Sequence, residues 1–131
     1  MQRFLNLSVF AFVAAATLFA FGCHQSVEAP HESAVRQVSV EDAKSAVEVD
    51  GTQFIDVRTP AEFDAEHAAK SINYPLDTIE ADAAKLNKSK PVYIICQTGR
   101  RSQIAAAKLN ELGFSDVSNV PGGMNAWTKA G

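Results

Sequence analysis

Short apolar stretches alternate with amphipathic stretches along residues 38–131, and this alternation predicts strands and helices in turn. The predicted strands cover residues 53–57, 71–74, 91–95 and 114–120. Predicted helices fill the intervals and end near residues 47, 65, 86 and 112, with a short terminal helix around Trp127. Because residues 91–95 are apolar on both faces, they are typical of a central strand in a parallel sheet. The pattern therefore predicts a single α/β domain with a mostly parallel central sheet flanked by helices on both faces.

Local signals mark where several of these helices begin and end. Residues 59–62 place threonine at the N-cap, proline at the first helical position and glutamate at the third, which predicts a capping box. Residues 39–42 resemble a capping box as well, and residues 77–80 predict the start of a helix with one apolar face. Gly113 is suited to the position just after the helix that follows Cys96.

The first 22 residues differ from the rest and have the layout of a bacterial export signal. Arg3 supplies a positive charge, and residues 4–21 form an apolar run of 18 positions. Such a run lies at the short limit for crossing a bilayer, so a retained membrane anchor is the alternative. We expect residues 1–22 to be a signal peptide, removed on export to the periplasm.

The cleavage site raises a second question, because Cys23 would become the new N-terminus. Ala20 and Gly22 are small enough for an ordinary signal peptidase. A cysteine at that position also resembles a lipoprotein lipobox, although Ala20 and Phe21 stand where a lipobox favours leucine and a small residue. We favour a lipid on Cys23, which would anchor the protein to a membrane and leave Cys96 unpaired.

Residues 23–37 are polar, and we interpret them as a linker between this signal and a domain over residues 38–131. His24 and His31 lie in the linker, and their spacing matches no helical metal site. The formal net charge of −3 gives no indication of a nucleic-acid partner. We expect a monomer that needs no metal and no cofactor.

The stretch from Cys96 to Ser102, CQTGRRS, joins the most apolar strand to a helix and is the main candidate for chemistry. A helix N-terminus and nearby arginines favour the thiolate form of a cysteine. Gly99 is free to adopt a positive φ, so the backbone N–H groups of the loop can turn inward around an anion. The alternative is a buried cysteine with a structural role only.

Four ordered motifs resemble the rhodanese, or thiosulfate sulfurtransferase, family. Residues 96–101 resemble its six-residue active-site loop, with cysteine first, glycine fourth and arginine sixth. Residues 56–63, DVRTPAEF, resemble its D-V-R-x-x-x-E-[FY] segment. Residues 66–75 resemble its G-H-x-x-G-A-x-N-x-P segment, and residues 120–127 its closing G-G-x-x-x-W. Two departures occur between these motifs: Glu66 replaces the usual glycine, and the turn that follows lacks the usual Pro-Gly-Ala.

The resemblance implies a sulfurtransferase that works through a persulfide on Cys96. The sulfur would come from thiosulfate or a similar small donor and pass to a thiol or cyanide acceptor. Arg100 and Arg101 would attract the donor and stabilise departing charge. The other residues of the implied substrate-binding loop are Gln97, Thr98, Gly99 and Ser102.

Three further residues are interpreted as supporting ones. Asp56 and Arg58 stand at a strand end, where a carboxylate and a guanidinium can pair and support the neighbouring loop. His67 is a candidate general base, but a lone histidine in a turn more often forms a local hydrogen bond. We therefore expect no direct chemistry from these three.

Two other functions remain open. A non-catalytic sulfur carrier or binding module of the same fold would load sulfur but turn over slowly without a partner. A cysteine phosphatase or arsenate reductase needs five residues between cysteine and arginine, whereas Arg101 follows Cys96 after four. Since Ser102 occupies the required position, we consider the phosphatase the weaker alternative.

Overall fold

The structure, a computed structural model, describes residues 35–131. The predicted signal peptide, the lipidation candidate Cys23 and linker residues 24–34 lie outside this described part. Within it, no helix is both long and apolar enough to cross a membrane.

Five parallel strands form the sheet that the described residues build. The strands are β1 (Arg36–Gln37), β2 (Gln53–Asp56), β3 (Ile72–Asn73), β4 (Val92–Ile95) and β5 (Val117–Asn119). Their order across the sheet is β1-β5-β4-β2-β3, and every neighbouring pair is parallel. The apolar strand β4 therefore lies at the centre, which confirms the prediction made from its two apolar faces.

Five α-helices lie in this part of the chain, four of them between strands and the fifth after β5. They are α1 (Val40–Ala46), α2 (Pro60–Ala65), α3 (Ile79–Asp82), α4 (Arg100–Glu111) and α5 (Gly123–Lys129). Two 3₁₀ turns, Leu76–Thr78 and Ala83–Lys85, flank α3. Most parallel pairs are joined through helical segments, because a parallel connection must return the chain to the same end of the sheet.

The side chains of β4 alternate between two cores, one on each face of the sheet. On one face Val92 and Ile94 pack against residues of α3 and α4, namely Ile79, Ala105, Ala106 and Leu109. On the other face Ile95 packs with residues of α1, β2 and α5, namely Val40, Ala43, Phe54 and Met124. Helices on both faces are thus confirmed, and Trp127 covers part of the second core with its ring 5.2 Å from that of Phe54.

The capping box predicted at α2 is confirmed, whereas α1 has only the N-cap half of its predicted box. The Ser39 hydroxyl accepts the Asp42 N–H at 3.0 Å. At α2 the capping box is complete: Thr59 Oγ1 accepts the Glu62 N–H, and the Glu62 carboxylate accepts the Thr59 N–H at 3.0 Å. This second box fixes the direction in which the Glu62 side chain leaves its helix.

The predicted linker boundary at residue 37 is wrong, because Arg36 and Gln37 form the edge strand β1 beside β5. Arg36 also pairs with Asp116, at 2.6 Å between Nη2 and Oδ1. Both β1 residues are polar and exposed, so hydrophobic pattern gave no sign of them. Their pairing rests on backbone hydrogen bonds, which residue type does not reveal.

Two other boundaries also differ from prediction. The helix expected over residues 77–86 is divided into a 3₁₀ turn, a four-residue α-helix and a second 3₁₀ turn, and Asp77 does not cap it. The Thr78 hydroxyl instead bonds to the Pro75 carbonyl and to Asp82. The strand expected over residues 114–120 shortens to β5, because Phe114 closes the turn after α4 with a bond from its N–H to Leu109 O.

We expect truncation of the central strand to be costly. Ile94 is fully buried, so Ile94→Ala should lower the free energy of unfolding by about 2 to 5 kcal/mol through lost contacts and a residual cavity. Urea denaturation measures this change. The matched control is Ile104→Ala, at a side chain that is 45% exposed, which should stay within about 0.5 kcal/mol of the parent. Equal losses in both variants would contradict the assigned core.

Candidate active site

The candidate site lies where the carboxyl ends of two adjacent central strands meet. Cys96 follows β4 directly, and Asp56 is the last residue of β2. Ligands of parallel α/β sheets usually bind at this edge. The fold therefore brings together Asp56, Arg58 and Cys96, although 38 positions separate the second from the third.

The loop after β4 turns its backbone toward the Cys96 sulfur. Gly99 adopts the left-handed conformation with φ 93° and serves as the N-cap of α4. Its N–H lies 3.1 Å from Cys96 Sγ, and the Ser102 hydroxyl lies 3.3 Å from the same sulfur. Cys96 itself is fully buried. Burial alone would suit a structural cysteine, but the polar groups directed at the sulfur suit one that carries charge.

These contacts determine the acidity of the thiol. Burial raises the pKa of Cys96, since a thiolate is poorly solvated away from water. Hydrogen bonds from the Ser102 hydroxyl and from backbone N–H groups act in the opposite direction and outweigh burial, so the pKa is lowered. The backbone donors belong to Ser102, Thr98 and Gly99.

The first turn of α5 holds the loop in this orientation. The carbonyl groups of residues 96–98 accept hydrogen bonds, at 2.7, 3.2 and 3.2 Å, from the N–H groups of Met124, Asn125 and Gly122 respectively. In a planar trans peptide the C=O and the next N–H point in opposite directions. The carbonyls bound to α5 therefore direct the N–H groups of residues 97–99 away from α5, and the Gly99 N–H reaches the sulfur.

This contact is so close that it requires glycine. A Cβ on Gly123 would lie 2.2 Å from the Cys96 carbonyl oxygen and 2.7 Å from the Gln97 carbonyl carbon. On the loop side, a Cβ on Gly99 would lie 3.0 Å from the Gly122 nitrogen. The sequence pattern placed Gly122 and Gly123 in the closing motif of residues 120–127 without indicating this support, for which the Gly-Gly pair itself was the available signal.

Asp56 and Arg58 form a buried pair beside the loop. Arg58 Nε lies 3.0 Å and Nη2 2.8 Å from Asp56 Oδ2. Arg58 Nη1 donates to Gln97 Oε1 at 3.0 Å, and Gln97 Nε2 donates to Asn125 Oδ1 at 2.6 Å. Asp56 and Arg58 thus pair with each other and, through Arg58, contact the loop. Gln97, expected to bind substrate, uses its side chain to connect them to α5.

The two arginines of the loop have different surroundings. Arg101 forms a two-pronged ion pair with Glu62 of α2, at 2.8 Å from Nη1 to Oε2 and 2.7 Å from Nη2 to Oε1. This pairing lowers the pKa of Glu62 to about 2, so the carboxylate is charged at any physiological pH. The Arg100 side chain is exposed and has no hydrogen bond or ion pair within residues 35–131. The sequence pattern assigned the two arginines one shared role and did not indicate the pairing with Glu62, which it marked as a capping residue and as part of the segment of residues 56–63.

Ser102 connects the thiol to a buried polar network. Its hydroxyl lies 2.5 Å from Asn119 Oδ1, and Asn119 Nδ2 donates to Gln37 Oε1 at 2.8 Å and to Gln103 Oε1 at 3.2 Å. Because these two acceptors fix the amide nitrogen, the amide oxygen must face Ser102. The hydroxyl has a single proton, for which Asn119 Oδ1 and Cys96 Sγ compete, and ionisation of the thiol favours the sulfur. Asn119 was not predicted, since an asparagine at a strand end carries no specific signal on its own.

His67 and Thr98 lie at the margin of the site. His67 Nδ1 lies 2.9 Å from Phe63 O, and its ring stacks on that of Phe63 with centroids 3.9 Å apart. This is the local hydrogen bond expected of it. Thr98 is exposed and contributes through its backbone. Within residues 35–131, no three His, Cys, Asp or Glu side chains are grouped as metal ligands.

The chain belongs to the Rhodanese-like domain family, which it matches over residues 39–130. This match covers every helix and strand except β1, and it includes the whole candidate site. It agrees with the parallel α/β fold and with the cysteine loop at the end of the central strand.

Several named relatives share this domain. The chain is 37% identical over 108 residues to the putative sulfur carrier protein YrkF of Bacillus subtilis, covering 82% of this chain and 57% of that one. It is 35% identical over 82 residues to the thiosulfate sulfurtransferase GlpE of Pseudomonas syringae, covering 63% of this chain and 77% of that one. The chain thus spans little more than half the length of YrkF.

Solved structures show the same fold. A rhodanese-like domain protein from Staphylococcus aureus is 32% identical, with a TM-score of 0.65, covering 71% of this chain and 91% of that one. A rhodanese-related protein from Thermoplasma volcanium is 30% identical, with a TM-score of 0.66, covering 73% and 93% respectively. Both place the described domain among single rhodanese-like domains.

A methyl group at Gly123 should displace the loop. We expect Gly123→Ala to reduce sulfur transfer by on the order of a hundredfold, because the Cβ collides with the loop backbone and misplaces the thiol. The control is Gly113→Ala, which has φ 94° but meets only the end of Lys88, at 3.7 Å. It should cost about 1 to 2 kcal/mol of stability and leave transfer intact. Similar activity losses in both variants would contradict the close contact.

Removal of the Ser102 hydroxyl should make the thiol less acidic. The hydroxyl lowers the pKa of Cys96, so Ser102→Ala should raise it and reduce the thiolate fraction. The rate of alkylation by iodoacetamide, followed against pH, should show its midpoint moved to higher pH and a severalfold slower reaction below both midpoints. The control is Ser45→Ala, since Ser45 bonds only within its own helix. An unchanged midpoint in Ser102→Ala would contradict the assigned contact.

Proposed function

We propose that this protein is a rhodanese-type sulfurtransferase, which moves a sulfane sulfur from thiosulfate or a similar donor to a thiol or cyanide. The observation that carries the proposal is the set of donors aimed at Cys96 Sγ: the Gly99 N–H at 3.1 Å and the Ser102 hydroxyl at 3.3 Å. Groups that stabilise a thiolate on a buried sulfur serve nucleophilic attack. They would equally hold the outer sulfur of a persulfide anion.

The first half-reaction loads the cysteine. The Cys96 thiolate attacks the outer sulfur of thiosulfate and forms a new S–S bond. The bond between that sulfur and the sulfonate breaks, and sulfite leaves with the bonding electron pair. The negative charge passes to the outer sulfur of the persulfide, which the N–H groups of residues 97–99, directed away from α5, would stabilise.

The second half-reaction unloads it. A thiolate or cyanide attacks the outer sulfur of the persulfide, the S–S bond breaks, and its electron pair returns to Cys96 as a thiolate. The products are an acceptor persulfide or thiocyanate. Because the remainder of the donor, sulfite, leaves before the acceptor reacts, the mechanism is of the ping-pong type.

A non-catalytic sulfur carrier is the second candidate, and the similarity to the putative sulfur carrier YrkF favours it. Such a protein would load Cys96 in the same way but release sulfur only to a specific partner. The phosphatase alternative is weaker on this geometry. The loop is one residue too short, and Arg101 is already paired with Glu62.

Sulfur loading tests the proposal directly. After incubation with thiosulfate, mass spectrometry with peptide mapping should find one additional sulfur atom on Cys96. Cyanide should then release it as thiocyanate over many turnovers, whereas Cys96→Ala should give neither adduct nor thiocyanate. Loading without repeated turnover would favour the carrier. Absence of any adduct, or equal thiocyanate formation by Cys96→Ala, would contradict both functions.

We further propose that the protein is exported to the periplasm and carries a lipid on Cys23. The basis is the sequence pattern of residues 1–23, with a positive start, an apolar run and a cysteine after a small residue. Processing blocked by globomycin and palmitate labelling in the membrane fraction would support the lipid. Globomycin-resistant cleavage with no label would indicate a freely soluble periplasmic form instead.

A further inference from the structure

We propose that Glu62 removes Arg101 from donor binding, so that the site favours sulfur donors of low negative charge, such as organic persulfides and thiosulfonates, over the thiosulfate dianion. This inference rests on the proposed function, because it names the class of donor that the same cysteine would accept. It departs from the expectation that Arg100 and Arg101 together attract an anionic donor.

The contacts of Glu62 carry the first step of the argument. Its carboxylate accepts both guanidinium nitrogens of Arg101 at 2.7 and 2.8 Å. It also accepts the N–H and hydroxyl of Thr59 at 3.0 and 2.9 Å. With donors on both sides, the carboxylate is held by its own helix cap and cannot follow Arg101 toward a ligand. The Arg101 charge is therefore matched by a fixed anion.

The neighbouring cation is neutralised in the same way. Arg58 is 3% exposed and paired with Asp56, which is fully buried. Arg100 is left as the cation around the loop with no ion pair in the described part of the chain. With Cys96 ionised, these three arginines and three anions balance, so the site has no excess positive charge for a dianion.

Charge balance affects donors unequally. Thiosulfate carries two negative charges to an already ionised thiol, whereas benzenethiosulfonate delivers the same sulfane sulfur with one charge and releases benzenesulfinate. Removing the Glu62 charge should therefore raise kcat/KM for thiosulfate by roughly three- to tenfold more than kcat/KM for benzenethiosulfonate. This factor is the effect of one nearby unit charge in a partly exposed, screened site. A freed Arg101 would also favour the thiolate, but that change helps both donors alike. The ratio of the two kcat/KM values therefore reports the effect of donor charge, because changes in the thiolate cancel.

Glu62→Gln tests this proposal because it removes the charge and keeps the helix cap. Glutamine at the third helical position also completes a capping box, so the start of α2 is retained while the charge is lost. The matched control is Glu48→Gln, which makes the same charge change at an exposed pair with Lys70. Glu48 follows the end of α1, and Lys70 precedes β3, so this pair lies at the end of the sheet away from Cys96.

The assay uses the full chain, with cyanide as acceptor and each donor varied in turn. We expect the thiosulfate to benzenethiosulfonate ratio of kcat/KM to rise roughly three- to tenfold in Glu62→Gln and to stay at the parent value in Glu48→Gln. Higher salt should reduce the gain, because screening weakens the added attraction. An unchanged ratio in Glu62→Gln, or an equal rise in both variants, would overturn the proposal.

A second variant keeps the test decisive if Glu62→Gln does not fold. Arg100 is exposed and has no side-chain partner among residues 35–131, so Arg100→Gln should fold normally. Since Arg100 is then the cation that meets the donor, this variant should lower the same ratio severalfold, and an unchanged ratio would overturn the assignment. Failure of the parent protein with both donors would contradict the proposed function itself, which is a separate outcome.

Discussion

The candidate site depends on one backbone contact, between the loop of residues 96–98 and the first turn of α5. Three carbonyls of the loop are bound there, so the N–H groups of the same peptides point away from α5, and that of Gly99 reaches the sulfur. No side chain is needed for this orientation, but side chains are excluded from it: Gly123 has no space for a methyl group. The last helix of the domain thus determines the electrostatics of a cysteine 27 positions earlier.

Features that depend on local sequence were predictable. The apolar pattern of residues 91–95 indicated the central strand, and the cap at Thr59 indicated where α2 begins. Gly99 marked the turn before α4, because only glycine adopts its backbone conformation without strain. In each case the residue type restricts the geometry of its own neighbourhood, so the prediction does not require knowledge of the rest of the chain.

Features that depend on distant partners were not predictable. Glu62 and Arg101 are 39 positions apart, and nothing in their residue types says that they pair. Any arginine of the chain could have faced solvent, as Arg100 does. Asn119 and Gln37 meet only because β1 pairs with β5, and β1 itself is too short and polar for its pattern to be visible. Sequence therefore indicated the candidate cysteine, whereas the charges around it required the folded structure.

The complete burial of Cys96 has a geometric consequence for the choice of reaction. Because the thiol has no exposed surface, a donor can reach it only when the groups that cover it move aside. A terminal sulfur, bonded to a single neighbour, can enter end-on and present its antibonding orbital to the nucleophile. A phosphorus or arsenic centre is surrounded by four substituents and would need a larger displacement of the groups that cover the thiol. A fully buried thiol therefore favours the slender end of a molecule, independently of its charge.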